Sequence, residues 1–334
     1  MKLFQQFTFL FAFLASTTAI FAQELATKTM YNMMPLSVNP AYTGDFEGSF
    51  RIGGMYKDYQ SSTFQTPSFF VDVPIIMIRK RDWISAGISF DADNAGTNDF
   101  NTTRSLISAS YHLSLDKKGK NYLVAGYQFG SDNTRLKSLQ TNGVFGEAQD
   151  PSITNIDPDN ATSSRINNIG LMYRSEIDKN TDFTIGAAFN YIFRQDGTIS
   201  NVSQGVFKRP SSIVVHGLVN RQLNDKLSIH PSFIVRAKGF EGTDAMVQAM
   251  VGYLFSEEKQ LTLRGGLGYD LDQGPALLLG ADYGDWRFGL SYEFPLYGIA
   301  DALENIGGFE ISASRIIKIY KKPVVDPAIC CPDL

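Results

Sequence analysis

Apolar side chains occupy every second position in about fourteen stretches of this chain. In residues 286–294 the alternate positions are apolar, and the positions between them carry Arg287, Gly289, Ser291 and Glu293. Because successive side chains of a β-strand point to opposite faces, such a stretch forms a strand with one apolar and one polar face. A strand between lipid and a polar lumen has this pattern. The sequence therefore predicts an all-β, antiparallel transmembrane β-barrel of the bacterial outer membrane.

The two predicted faces differ in composition. A soluble β-sandwich would also alternate, but its outer face would be rich in Lys, Glu and Thr and its inner residues would be large and branched. Here the apolar face is large and aromatic, as in Phe69, Tyr127, Phe129, Phe189, Tyr191, Leu267, Leu290 and Ile311. The other face is full of Gly and Ser, with scattered charges at Arg51, Lys57, Asp72, Arg194, Arg236, Arg264, Asp282, Arg287, Glu293 and Glu310. Of these, Arg51, Arg194, Arg236, Arg264, Arg287, Glu293 and Glu310 are the candidate lumen-lining residues.

The connections between predicted strands alternate in length. Short polar connections fall at 79–82, 116–120, 178–180, 224–225, 256–259 and 284–285, and longer ones at 91–101, about 132–163, about 195–210 and 295–306. Outer-membrane barrels have short periplasmic turns and longer extracellular loops. We therefore expect the longer connections outside the cell and, with an even number of strands, both termini in the periplasm.

Residues 1–22 have the pattern of a secretory signal peptide. Lys2 precedes an apolar run, and Ala22 marks the expected cleavage site. No later window has the 18 or more apolar residues of a spanning helix, so only a closed barrel could cross a membrane. The predicted organisation is a signal peptide (1–22), an extended segment at the periplasmic mouth (23–47), a barrel (48–320) and a periplasmic tail (321–334).

Composition narrows the choice of partners. The formal net charge of -4 argues against nucleic acid, which would favour a basic stripe. Mean hydropathy is only -0.11, because a polar lumen face offsets the lipid face. The two cysteines, Cys330 and Cys331, are adjacent and near the end, so they give neither a disulfide framework nor metal-ligand spacing. They could pair with a partner or another tail, or have no role.

Catalysis is not expected from this pattern. The register places His112, His216 and His230 on the lumen face, near serines. An outer-membrane lipase would need a Ser–His pair on the lipid side, so hydrogen bonds that fill the lumen are the favoured interpretation. The Asp-rich stretches 91–96 and 157–160 lack the downstream Glu of a calcium loop. We expect no enzyme activity, no metal and no cofactor.

The stretch Met30–Gly44 carries the most specific motif, MYNMMPLSVNPAYTG. It resembles the opening of the PorP/SprF family of type IX secretion membrane proteins, although that family has Asn-Pro where this chain has Met34-Pro35. Further similarities are Pro74-Ile75, the final predicted strand 307–312 and Cys331-Pro332 near the end.

The resemblance implies a non-enzymatic role in type IX secretion and gliding motility. Proteins of this family bind and anchor a secreted surface protein, an adhesin-type cargo with a type B C-terminal domain. They also link it to secretion components and periplasmic, peptidoglycan-linked proteins. A FadL-like or porin-like transport channel is the alternative. An open lumen with independent conductance would favour transport, and co-purification with an adhesin C-terminal domain would favour the secretion role.

The motif also has a local interpretation. Pro35 and Pro40 fix φ and favour extended backbone in the residues before them, and Gly44 permits a turn before the first strand. We therefore expect an ordered segment that either plugs the periplasmic mouth or binds a partner; a flexible leader is the alternative. Its candidate residues are Tyr31, Asn32, Pro35, Asn39, Pro40, Tyr42 and Gly44.

Overall fold

The computed structural model describes residues 27–59, 64–79, 81–95, 100–136, 162–192, 197–198, 206–207, 211–238, 242–294 and 307–319. The predicted signal peptide, the tail with Cys330 and Cys331, and Arg194 lie outside these ranges. Fourteen strands form a closed antiparallel barrel in which each barrel strand pairs with the barrel strands before and after it in the chain, and the first pairs with the last. The predicted fold class is confirmed.

The barrel strands are long and pair in continuous ladders. Two further short strands, Gly197–Thr198 and Val206–Phe207, form a separate small sheet within one connection. The bounds are β1 Phe50–Tyr59, β2 Phe64–Met77, β3 Trp83–Ala95, β4 Phe100–Ser114, β5 Asn121–Leu136, β6 Thr162–Asp178, β7 Thr181–Asn190, β8 Gly197–Thr198, β9 Val206–Phe207, β10 Ser212–Gln222, β11 Leu227–Ala237, β12 Thr243–Ser256, β13 Leu261–Asp270, β14 Gly274–Tyr283, β15 Trp286–Glu293 and β16 Gly308–Ile317.

The barrel has two unlike rims. The short-turn rim carries the connections 78–82, 115–120, 179–180, 223–226, 257–260 and 284–285, and β1 begins and β16 ends there. The long-connection rim carries 137–161, 191–211 and 294–307, together with four shorter connections. The predicted long connection at 91–101 is wrong. There β3 and β4 stay paired as far as Ala95 and Phe100, because polar side chains do not interrupt a backbone ladder.

The alternation of faces follows the predicted register. On β15, Leu290 is 44% exposed on the outer face, whereas Ser291 is 1% exposed inside. Tyr191 is the exception, since it was predicted to face outward and is buried. Strand β7 ends at Asn190 and Tyr191 has a φ of 57°, which breaks the alternation and turns its hydroxyl towards Arg104 inside the barrel.

The inner segment, residues 27–49, lies inside the barrel and is not extended. It forms a 3₁₀ turn at Tyr31–Met33, a four-residue α-helix at Pro35–Val38 and a second 3₁₀ turn at Pro40–Tyr42. The prolines explain the difference from the prediction, because a φ fixed near that of a helix favours proline in a first turn. The predicted turn at Gly44 is present, with a φ of 70°. Among the described residues, no helix is long and apolar enough to cross a membrane.

Part of the apolar core lies between this segment and the wall. Met30, Met33, Met34 and Leu36 of the segment pack against Met55, Phe70 and Leu278, which face inward from β1, β2 and β14. These large lumen-facing residues are exceptions to the Gly- and Ser-rich inner face. Their burial requires the segment, because without it they would line a water-filled lumen.

Candidate functional site

The inner segment runs from one rim of the barrel to the other. Near the short-turn rim, Asp45 forms an ion pair of 2.7 Å with Arg174, close to the end of β6. At its other end, the Thr27 hydroxyl accepts a hydrogen bond of 2.8 Å from Gln273, in the 271–273 connection of the long-connection rim. The segment therefore reaches beyond the single mouth at which the sequence places it.

The N-terminal end is held by a buried charge cluster. The Lys57 ammonium lies 2.8 Å from Glu293 and 3.2 Å from Glu310, and it also donates to the backbone carbonyl of Thr27. The Glu310 carboxylate accepts the backbone N–H groups of Thr29 and Met30, each at 2.7 Å. Glu310 is fully buried, and its ion pair with Lys57 together with hydrogen bonds from the two N–H groups and from Ser291 offsets the lost hydration of its charge.

Lys57 was not among the residues predicted for the site. It faces inward on β1 directly opposite Glu310 of β16. An unmatched lysine on a lumen face was the available signal, but its partners on β15 and β16 are more than 200 residues away in the chain. Sequence spacing alone could not pair them.

Acids are concentrated near this end of the segment. Asp244, Asp270 and Glu293 face inward near the long-connection rim. In the adjoining turn, burial and the nearby Asp244 carboxylate raise the pKa of Asp272. The Lys57 cation therefore sits in a predominantly acidic part of the lumen.

The middle of the segment bonds to strands on the opposite side of the barrel. The Tyr31 hydroxyl donates to Ser232 at 2.9 Å, and the Asn32 amide donates to the same oxygen at 3.2 Å. The Asn39 side chain donates to the carbonyls of Leu171 and Ala187, both at 3.2 Å.

His216 is shared between two residues of the motif. Its ring nitrogens lie 3.0 Å from the Asn39 amide and 3.1 Å from the Tyr42 hydroxyl. His112 lies 2.8 Å from the Thr43 carbonyl and stacks on Trp83. These contacts use lumen histidines to hold polar groups of the segment, which is the interpretation favoured from the sequence over a catalytic pair.

Two glycines let the second proline approach the wall. Gly126 of β5 and Gly170 of β6 are directly opposite each other in the ladder. A Cβ at Gly126 would collide with the backbone of Pro40 and Ala41, and one at Gly170 would collide with the Asn39 side chain. The absence of side chains at these two glycines therefore lets the Asn39-Pro40-Ala41 stretch pack closely against the wall.

The C-terminal end is held by an aspartate and an arginine. The Gly44 N–H donates to Asp72 at 2.7 Å. Arg51 binds the same carboxylate with two N–H groups, at 2.7 and 3.0 Å, and donates to the Tyr42 carbonyl at 3.1 Å. Asp72 is fully buried. This end is thus fixed by a forked, charge-assisted contact.

The other predicted lumen charges pair along the wall. Arg236 lies 2.7 Å from Asp244, and Arg264 and Arg287 both contact Asp282, the latter at 3.1 Å. These three ion pairs join side chains of the wall to one another. Among the predicted lumen residues, those bonded to the segment are Arg51 and Glu310, with Glu293 joined to it through Lys57.

A cavity of about 200 Å³ remains beside the segment. It lies towards the short-turn rim, and its lining includes Tyr31, Val38, Tyr42, Asp45, Arg174 and His216. Among the residues that the structure describes, no cluster of three or more His, Cys, Asp or Glu side chains is arranged to hold a metal ion.

Many polar side chains of the inner wall form hydrogen bonds with main-chain groups of the inner segment. Glu310 and Asp72 accept main-chain N–H groups of the segment. Main-chain carbonyls are bound by Lys57, Arg51, His112, Gln128 and Gln248. These groups come from at least six strands, so the wall binds one chain from several sides.

Comparison with solved structures places the fold among outer-membrane barrels. The Pseudomonas putida toluene transporter TodX has a TM-score of 0.51 at 12% identity, covering 90% of this chain and 96% of that chain. A TodX monoaromatic hydrocarbon channel deltaS2 mutant has a TM-score of 0.50 at 13% identity, covering 86% and 94%. A Pseudomonas aeruginosa FadL homologue has a TM-score of 0.46 at 12% identity, covering 83% and 92%. At 12–13% identity, the likeness to the two TodX structures shows the fold alone.

Family membership comes from the sequence as a whole. No curated protein sequence matches the chain. A family model described as type IX secretion system membrane protein PorP/SprF matches residues 20–314. That match covers most of the chain and includes the motif in the inner segment, so the chain belongs to the type IX secretion system membrane protein PorP/SprF family.

Proposed function

We propose that this barrel acts by holding polypeptide and that it anchors a secreted, adhesin-type surface protein with a type B C-terminal domain at the outer membrane. The observation that carries the proposal is the set of backbone-directed hydrogen bonds between the inner wall and residues 27–45. An inner wall that binds a segment of its own chain in this way favours a role as a rigid docking site for a partner protein over a role as a solute channel.

In this proposal the inner segment is a plug that also shapes the docking site. Its two ends are fixed by buried carboxylates, and its middle is bonded to β6, β7 and β11. Secretion components and periplasmic, peptidoglycan-linked proteins are the further partners. The long-connection rim faces outside the cell, where the cargo is displayed.

Conductance and cargo retention together test the proposal. Purified wild-type protein in planar bilayers should show little steady current. Deletion of residues 27–44 should raise the current and should lower recovery of a tagged surface-protein C-terminal domain. Arg264→Gln is the control, because Arg264 pairs with Asp282 on the wall rather than with the segment. Large, stable conductance by the intact protein, with normal cargo display in a deletion strain, would support the transport alternative instead.

The orientation has its own test. An epitope inserted near Asn155, in the 137–161 connection, should be labelled on intact cells. One inserted near Lys118, in the 115–120 turn, should be labelled only after the outer membrane is opened. Labelling of intact cells at Lys118 alone would reverse the proposed topology.

A further inference from the structure

The short-turn rim carries an apolar and basic patch on one side. Strand β2 ends with Ile75, Ile76 and Met77, and the turn continues with Ile78, all more than half exposed. Leu115, in the next turn along the same rim, is 53% exposed. Higher on β2, Phe69 and Val73 face outward, so the patch continues the lipid-facing wall to its edge.

Basic side chains follow directly on these apolar ones. Arg79 and Arg81 lie in the β2–β3 turn, and Lys117 and Lys118 lie in the β4–β5 turn. Arg81 donates to the Lys117 carbonyl, which joins the two turns into one surface. The Arg79 side chain is 77% exposed, and its carboxylate contact, to Asp82, is 3.9 Å long.

The acids of the two turns bind other groups. Asp82 accepts the Ser114 N–H at 3.0 Å and the Tyr111 hydroxyl at 3.3 Å. Asp116 accepts the N–H groups of Lys120 and Asn121, at 2.9 and 3.1 Å. Within the described ranges, Arg81, Lys117 and Lys118 have no ion pair within 4.0 Å.

The rest of the same rim differs in charge. Lys120 is paired with Glu176 at 2.7 Å, and Lys179, Lys226 and Lys259 each directly follow an acidic residue in the sequence. The β12–β13 turn carries Glu257 and Glu258 with a single lysine. The excess of positive charge is therefore confined to the two turns that also expose apolar residues.

We propose that this patch is a binding site for anionic phospholipid headgroups. At the edge of a lipid-facing wall, phosphates lie level with the first polar residues beyond the apolar band, and basic residues there attract them. Tyr111 faces outward with its hydroxyl on Asp82, which places an aromatic side chain at that level. Ile76 and Ile78 contact the acyl chains, and Arg79, Arg81, Lys117 and Lys118 contact the phosphates.

The test uses a mixed bilayer. Wild-type protein is placed in nanodiscs of phosphatidylcholine with a minority of phosphatidylglycerol, then released in mild detergent and analysed by native mass spectrometry for retained lipid. The test variant is Arg79→Gln/Lys117→Gln/Lys118→Gln. The matched control is Lys179→Gln/Lys226→Gln/Lys259→Gln, which removes three basic side chains from other turns of the same rim.

Wild-type and control proteins should retain phosphatidylglycerol in preference to phosphatidylcholine. The test variant should retain it roughly fivefold less for each removed charge at low ionic strength, and high salt should reduce the difference. A faster mobility on unheated gels than after boiling confirms that each variant has folded. Equal phosphatidylglycerol retention by the two folded variants would overturn the proposal. Wild-type protein that bound an acidic protein but retained phosphatidylglycerol and phosphatidylcholine equally would also overturn it.

Discussion

The two faces of the barrel wall use their side chains in different ways. On β15 and β16 the outward residues Leu290 and Ile311 are apolar and exposed. The inward residues Ser291 and Glu310 on the same strands are buried and hydrogen-bonded to each other, and Glu310 is also bonded to the inner segment. The outer face therefore needs only apolar character, whereas the inner face needs particular residues at particular positions. Each of the following predictions tests this difference.

Replacement of Glu310 by Ala should have the largest effect. It leaves Lys57 with one buried carboxylate and removes the acceptor of two main-chain N–H groups. Breaking a buried ion pair costs about 3–5 kcal/mol, measured here as the free energy of unfolding in urea with lipid vesicles. Glu310→Gln keeps an acceptor oxygen and should cost less. An equal, small cost for both would mean that the cluster does not hold the segment.

Replacement of Leu290 by Arg tests the outer face. A charge near the middle of a lipid-facing strand should cost about 2–4 kcal/mol in the same unfolding measurement. Leu290→Ala is the control, and it should cost much less because lipid fills the space. A similar cost for Arg and Ala would contradict the assigned register, since a slip of one residue exchanges the faces.

Replacement of Asp72 by Asn should loosen one end of the segment. It weakens charge-assisted bonds to Arg51 and Gly44, which are worth about 1.5–3 kcal/mol. Hydrogen exchange at residues 42–49 should rise. Asp282→Asn is the matched control, because Asp282 pairs with Arg264 and Arg287 on the wall. If both variants speed exchange of the segment equally, Asp72 is not a specific anchor.

The smallest effects come from exchanging Leu for Ile at adjacent positions. Leu279 faces outward and is 44% exposed, so Leu279→Ile should change stability by less than about 0.5 kcal/mol. Leu278 is fully buried against the methionines of the segment, so Leu278→Ile should cost about 1 kcal/mol because the core must repack. The reverse order would show that the inner face is as tolerant as the outer one.

Sequence reasoning could select the region of the candidate site but not its geometry. The motif at Tyr31–Gly44, with its two prolines, marked the segment, and the alternation placed Arg51 and Glu310 on the inner face. The alternation also placed Lys57 and Asp72 on the inner face, but it did not mark them as residues of the site, and Gly126 and Gly170 were not selected. Their importance depends on which residue of the segment lies against them, and no local pattern carries that information.

The sequence by itself determined the strand pattern, the apolar outer face and the family. All of these follow from a period of two residues or from a contiguous motif, which are local properties of the chain. Only the tertiary structure decided the path and shape of the inner segment. The bond from the Thr29 N–H to Glu310 joins residues 281 apart, and the helical turns at Pro35 and Pro40 pack against the surrounding wall. Such contacts form when the barrel closes around the segment, because closure places strands that are distant in the sequence against the same residues of the segment.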